Sequence, residues 1–560
     1  MIRKNTSASS YETPTTRWPH WLVVLSFLFA LAIYCTPTAL PKVQHSNADS
    51  TSFSAARAFY HLDFIAKQPR PVGSEGHRAT RAYLLSALRQ MGLQPAIQET
   101  TSVLRFPGSI GFSAATVKNV LVKIPGTAST GTIALDAHYD GAATGPAAGD
   151  VASGVVTLLE TIRALSHDAP LKNDLVFVFA DAEEIGDLGA HAFTTQHQWM
   201  KEVKLAINYE SMGTRGPVHL YATNRQNAAL VREFLRAQPS VSASSFTVGI
   251  FNLLPEQRLA CDLQDYLDKG TAGMGFVFTG NSSAYHTALD NIDQLDPRTV
   301  QQQGEATLAL VRHFGQLDLN QLDTKEAAVF FDWWPNQKLQ YSTAWSFPFA
   351  MGGLLLLLAI LGFHARQKER AMKKMIGATL VLSGGIVLTV LLSVGAWWLV
   401  RKFNVNLGAF LIGNWAIAWF LAAMLSFAAA VVSLLLFLAR LKFTSLELLS
   451  GILLLQAFLS LLLGVIYPVG NYVFLWAGVA ALPALILLPS PRVANWIKAM
   501  ASAIAVIAVV GLYAPLLHIT NPLVALLIRL DATLGMPVLP VITSFLVLPA
   551  ALLFTLSGSY

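Results

Sequence analysis

The sequence predicts two joined fold classes: an α/β domain with a mixed, mostly parallel sheet flanked by helices, and an all-α region of several membrane spans. Three observations carry this. Of 560 residues, 53% are hydrophobic and only 13% charged, against roughly a quarter charged in a soluble chain. The apolar excess is uneven: 45–335 has an ordinary globular composition, whereas 344–556 is almost continuous apolar sequence. Within 45–335, β-branched and aromatic runs alternate with amphipathic segments of helical period, which marks strands separated by helices.

The chain opens on a short basic stretch (Arg3, Lys4, Arg17), read as a cytosolic segment over 1–17. An apolar span follows at 18–36 (WPHWLVVLSFLFALAIYCT). It lacks a small-x-small cleavage site, and Pro37 and Pro41 crowd its exit, so it reads as an uncleaved anchor rather than a signal peptide. Further spans are expected near 344–364, 375–399, 415–438, 446–466, 470–489, 497–517 and 536–556, about seven in all, each about 20 residues long as a bilayer requires. Residues 521–533 (NPLVALLIRLDAT) are too short and too charged to span alone, and read as re-entrant or interfacial.

Lys and Arg fix the orientation. With the N-terminus inside, inner loops carry Arg366, Lys368, Arg370, Lys373, Lys374, Arg440, Lys442, Arg492 and Lys498. Outer loops hold little beyond Arg401, Lys402 and Arg529. That asymmetry obeys the positive-inside rule, and puts 45–335 outside the cytosol. Trp333, Trp334 and Trp345 stand where an interfacial belt would begin. The net charge of +6 is accounted for by these flanking residues, so nucleic acid is not implied as a partner. Two cysteines, Cys35 and Cys261, provide neither a disulfide framework nor a thiolate metal cluster.

In the globular part, 117–126, 131–140, 174–184, 203–213, 217–223 and 273–280 read as strands. Residues 152–165 place Val155, Leu158, Leu159, Ile162 and Leu165 on one helical face. Residues 78–92 are similar, with Gly92 as the C-terminal stop.

Polar residues collect where strands end. His138 and Asp140 follow the strand of 131–137, and a Gly/Ala loop then reaches Asp150 before a helix. Asp181, Glu183 and Glu184 follow 174–180, Glu210 ends 203–209, and Tyr285-His286 follows 273–279. Ligands of open α/β sheets bind at the carboxyl ends of strands. Taken singly, each residue has a plain structural reading: His138 a core histidine, Asp150 a helix N-cap, the Glu183-Glu184 pair a solvated strand end. Five segments aiming such residues at one edge make a set that those readings do not explain. Nitrogen and oxygen donors without thiolate suit zinc, cobalt or manganese in a hydrolytic site. Two histidines and three carboxylates match two open sites that share a carboxylate. Asp140, two residues after His138, is placed to orient that imidazole.

The blocks PRPVGSEGHRATRAYL, AHYDG, GDVASG, DAEEIGDLGA, NYESMG and AYHTALDNIDQLDP, in this order over most of 55–315, resemble the co-catalytic di-zinc aminopeptidase family, which includes glutaminyl cyclase-like members. The resemblance implies a zinc aminopeptidase-like sheet and two Zn2+ ions. His138 and Glu210 would hold one zinc, Glu184 and His286 the other, and Asp150 would bridge both. Glu183 would be general base and acid. Tyr285 is an oxyanion-donor candidate, and Asp290 is a candidate to support His286 from a helical turn. Many soluble members have Asp in place of Glu210; the glutamate and the multi-span tail match the membrane-bound branch, which resembles vacuolar membrane proteases and endoplasmic-reticulum metallopeptidases. Val151 replaces a common Asn or Asp.

The function so implied is a membrane-anchored metallo-exopeptidase acting on N-termini of extracytoplasmic peptides, with lipid as its other partner. Glutaminyl cyclase chemistry on the same fold is one alternative, a non-catalytic receptor or chaperone ectodomain another. A transporter reading is disfavoured because no ionisable residue is central in the spans; Gln456 is polar but uncharged. A compact chain without glycan-rich loops points to a bacterial inner membrane with the domain 45–335 in the periplasm, and 344–560 as its membrane region.

Overall fold

The computed structural model describes residues 40–403, except 106–110, 253–260, 335–336 and 367–370. It also describes 434–508, except 491, 495 and 499, and a few isolated positions. The expected segment 1–17, the span 18–36, most of 415–438, the segment 521–533 and the span 536–556 lie outside the described residues.

The head is built on an eight-stranded sheet in the order β1-β2-β4-β3-β5-β8-β6-β7. The strands are β1 (Ala96–Arg105), β2 (Phe112–Ile124), β3 (Thr132–His138), β4 (Asp174–Ala180), β5 (Val203–Ser211), β6 (His219–Thr223), β7 (Ser242–Ala243) and β8 (Ala272–Phe278). The inner four, β4-β3-β5-β8, pair in parallel. β2 joins β4 antiparallel, and β6 joins β8 antiparallel. The sheet is therefore mixed, with its parallel strands at the centre.

The parallel strands are mostly apolar because helices cover both faces; every residue of β3 is buried. The helix Ser153–Leu165 packs Val155, Leu158, Leu159 and Ile162 into the main core, with Leu165 at its margin. The helix Glu75–Gln90 starts at Ser74, whose side chain accepts the His77 N–H. It ends two residues before Gly92, which takes φ +81°, a conformation glycine adopts at little cost.

Four strands escaped the periodicity reading, among them the two-residue β7. β1 lies at the sheet edge, where exposed and half-buried residues alternate without an apolar run. β9 (Ala328–Trp334) and β10 (Gln337–Ser342) form a separate hairpin. β9 joins the two halves of the protein. Successive strand residues face opposite ways: Ala328 and Phe330 enter the core of the head, whereas Val329 and Phe331 enter the core of the membrane half. Phe331 lies flat on Tyr472, ring centroids 4.2 Å apart and planes 3° from parallel. The helix Ser245–Asn252 adds polar contacts to the same region: the Tyr467 hydroxyl donates to the Phe246 carbonyl, and Ser245 Oγ donates to the Val469 carbonyl at 2.6 Å.

Three described helices are long and apolar enough to cross a membrane: Thr343–Ala365, Met372–Leu392 and Ser445–Ile466. They correspond to the expected spans at 344–364, 375–399 and 446–466. The expected span 470–489 is a shorter helix, Tyr472–Leu487, because a tight turn at Pro468–Gly470 occupies its start. At one end of the bundle Lys374 meets Glu447 at 3.7 Å. At the other, Asn471 Nδ2 donates to the Ser346 carbonyl at 2.8 Å, next to the residues that touch the head. Trp345 is exposed at this second end.

Candidate metal centre

The four parallel strands deliver their carboxyl ends to one edge. His138 is the last residue of β3 and Glu210 the penultimate residue of β5. Glu183 and Glu184 follow β4, after Ala182 turns the chain with φ +63°. That left-handed residue turns the chain off the strand end just before the two neighbouring glutamates. Asp150 precedes the helix Ser153–Leu165, which has no side-chain cap at Ala152. The N-cap role open to Asp150 in sequence is thus not taken, and its carboxylate is free for the cluster.

The structure brings the five expected ligands together in two groups that share Asp150. Ligand atoms of His138, Asp150 and Glu210 lie within 4.8 Å of one another, as do those of Asp150, Glu184 and His286. In the first group, His138 Nε2 is 3.9 Å from Asp150 Oδ1, 3.8 Å from Glu210 Oε2 and 3.5 Å from Glu183 Oε2. In the second, His286 Nε2 is 3.1 Å from Asp150 Oδ2 and 3.0 Å from Glu184 Oε2. Ligand atoms about 2.0–2.1 Å from a tetrahedral zinc stand roughly 3.3 Å apart, so the spacings bracket what such an ion needs. Three atoms on these residues are buried without a hydrogen-bond partner: His138 Nε2, Glu184 Oε1 and Glu210 Oε1. Buried polar atoms are nearly always satisfied. Orphans on three separate ligands fit a cation between them.

The charges agree. Burial, then Glu210, Asp187 and Glu184, push the Glu183 carboxyl well above its usual range. Burial also raises Glu210 and Asp150, although His138 opposes the rise in Glu210 and His286 that in Asp150. Burial alone would lower both imidazoles. Asp140, Glu210 and Asp150 overcome it and push His138 up to about 10, while Asp150 and Glu184 do the same for His286. The cluster is an anionic pocket that recruits positive charge, and a divalent ion meets that demand while leaving the imidazoles neutral for ligation.

Asp140 does more than face His138. It lies 3.5 Å from His138 Nδ1, and its two oxygens accept the N–H groups of Glu183 at 3.1 Å and Glu184 at 3.2 Å. Tyr285 stacks on His286 with ring centroids 3.8 Å apart. His286 has φ +53°, a strained left-handed value for a non-glycine residue, and its side chain is 41% exposed, whereas His138 is fully buried. The centre thus has a closed side and an open side. Asp290 does not extend a helical turn toward His286: 281–289 is a run of turns and bends, and its carboxylate takes the backbone of Gly149 and Asp150. Asp181 pairs with His77 Nε2 at 2.7 Å and accepts the Lys118 N–H at 2.7 Å, a structural use.

Arg70 escaped sequence reasoning. It is fully buried and donates to the carbonyls of Tyr139 at 2.8 Å, Ala147 at 2.9 Å and Pro146, fixing the loop that carries Asp150. Its place within PRPVGSEGHRATRAYL was the available signal. A lone arginine among prolines has no periodicity to betray burial.

With this geometry in view, residues 119–311 match Peptidase family M28. The endoplasmic reticulum metallopeptidase 1 of Mus musculus is 29% identical over 300 residues, covering 50% of this chain and 33% of that protein. The vacuolar membrane protease of Candida albicans (strain WO-1) is 27% identical over 270 residues, covering 48% of this chain and 31% of that protein. The match thus spans about a third of the length of these relatives. Among solved structures, an aminopeptidase from Aneurinibacillus sp. strain AM-1 has 13% identity and a TM-score of 0.40, covering 47% of this chain and 94% of that one. A Porphyromonas gingivalis glutaminyl cyclase has 19% identity and a TM-score of 0.37, covering 46% and 98%.

Proposed function

We propose that this chain, which carries a peptidase family M28 domain over residues 119–311, is a membrane-anchored di-zinc exopeptidase that removes N-terminal residues from peptides. The observation that carries the reading is the pair of ligand groups sharing Asp150, with the Glu183 carboxylate 3.5 Å from His138 Nε2. His138, Asp150 and Glu210 would hold one zinc, and Asp150, Glu184 and His286 the second. Bound there, the metal supplies Lewis acidity toward the scissile carbonyl.

The chain's own residues do the rest. Glu183 takes the proton of the attacking water on its carboxylate and returns it to the leaving amine. Burial first, and then Glu210, raise the affinity of its carboxylate for a proton, the direction a general base needs. Asp140 keeps Glu183 and Glu184 apart and in register through their amides. Tyr285, flat against His286, is the candidate donor to the oxyanion. Preference for free N-termini rests on the motif resemblance.

The head is proposed to lie outside the cytosol, in the periplasm of a bacterial inner membrane. The bundle supports that side: its Lys374–Glu447 end, rich in basic residues, is opposite the end that touches the head. Residues 45–335 then form the catalytic unit and 344–560 its membrane platform.

The test uses the full-length protein in detergent. Metal analysis is expected to return two zinc ions per chain. Peptide amides with free N-termini should be cleaved in a chelator-sensitive manner, and N-acetylated ones spared. One zinc per chain with release of cyclised N-terminal glutamine would replace the reading with the cyclase alternative. Metal binding without any turnover would favour the receptor reading.

A further inference from the structure

We infer that Asp290 is a positioning residue for the shared carboxylate: it grips Asp150 by the backbone, and with Arg70 sets the distance between the two halves of the metal centre. The inference rests on the two-metal reading above.

The need for such a grip follows from topology. Asp150 comes from the loop after β3, and His286 from the loop after β8. β5 lies between them, so the two strands stand roughly 9.5 Å apart at about 4.8 Å per neighbour. Yet Asp150 Oδ2 and His286 Nε2 are 3.1 Å apart. Both loops must lean over β5 and be held there.

Asp290 supplies the hold. Its side chain is buried, Oδ1 accepts the Gly149 N–H at 2.6 Å, and Oδ2 accepts the Asp150 N–H at 3.1 Å. Its own carbonyl accepts the Ala148 N–H at 3.2 Å. Thr144 Oγ1 donates to the His286 carbonyl at 2.7 Å, tying the same two loops at a second point. Gly149 is required by the approach: a Cβ there would sit 2.2 Å from the Gly213 carbonyl oxygen and 3.0 Å from Asp290 Oδ1. Arg70 takes carbonyls of the same loop, at Tyr139, Pro146 and Ala147. One buried cation thus binds the loop's acceptors and one buried carboxylate binds its donors. Neither touches a metal position. Together they fix where Asp150 points.

An asparagine at 290 keeps the shape but offers one acceptor and turns an NH2 toward an N–H. The measurement is competition of the metal-free, full-length protein in detergent against a chromophoric chelator, with Zn2+ alone as probe. Asp290→Asn is expected to weaken zinc binding 10–100-fold, the range for residues that orient ligands, at the site holding the exposed His286 first. The metal-free melting temperature should stay near that of wild type. Asp290→Glu, which restores two acceptors, should recover part of the affinity. Wild-type affinity in Asp290→Asn overturns the inference, and so does a large drop in its metal-free melting temperature, since Asp290 would then serve the fold. A wild-type chain that binds fewer than two zinc ions instead overturns the two-metal reading on which the inference depends.

Discussion

Asp140 holds Glu183 by its backbone: the carboxylate Oδ1 accepts the Glu183 N–H at 3.1 Å. The end of β3 is thereby tied to the end of β4, and the carboxylate that faces His138 also holds the backbone of the proposed base. The second oxygen treats Glu184 in the same way.

Asp140→Asn should therefore act on both neighbours at once. One amide would lose its acceptor and meet an NH2 group. Turnover is expected to fall about 10–100-fold, with a smaller change in substrate KM. An unchanged kcat would leave Asp140 with no positioning role.

Glu183→Gln removes the proton acceptor while keeping shape. Zinc content measured by elemental analysis should remain that of wild type, while kcat/KM drops about 10²–10⁴-fold or more, the usual contribution of general acid–base catalysis. Substantial residual turnover would take the base role away from Glu183.

The two ligand groups can be separated by Glu210→Ala and His286→Ala. Glu210 belongs only to the buried group and His286 only to the open one. Each variant is expected to bind one zinc fewer than wild type in equilibrium dialysis. Loss of both ions in both variants would point to a single, interdependent centre.

Phe331 is buried against Tyr472 at the joint between head and bundle. Phe331→Ala should cost about 3–5 kcal/mol at that contact, as large aromatic deletions do. The expected readout is faster proteolysis near 335–345 with the zinc content of the head preserved. Wild-type resistance to protease would mean that the joint does not depend on this ring.

His61 gives a pH effect away from the metal centre. Burial holds its imidazole below the usual value of 6.5, with Glu160 opposing, and Nδ1 lies 2.7 Å from the Tyr83 hydroxyl. The folded state thus prefers the neutral ring. Its contribution to stability is present above pH 6.5 and is lost as pH falls through the lower folded value. His61→Gln should flatten the fall of melting temperature with acid below pH 6.5. An identical slope in the variant would mean that His61 titrates alike in both states.

Much of this was readable in the chain. The strands at 131–140, 174–184, 203–213 and 273–280 were legible because strands buried on both faces are mostly apolar. The polar residues at their ends stood out against that background. β1 was not legible, since an edge strand half exposed to water carries no continuous apolar run. β9 was missed because it is apolar on both faces, Ala328 and Phe330 toward the head and Val329 and Phe331 toward the bundle. That pattern resembles the start of a membrane span.

Sequence alone determined which side chains could bind metal, since donor chemistry and strand order are local properties. It also set the division into a polar head and an apolar bundle, because charge density decides which solvent a segment tolerates. Only the tertiary structure decided that Asp140 serves Glu183 and Glu184, that Asp290 serves Asp150 rather than His286, and that Arg70 closes the loop. Those partners are far apart along the chain, and a hydrogen bond depends on distance and angle in space, which no spacing of letters encodes.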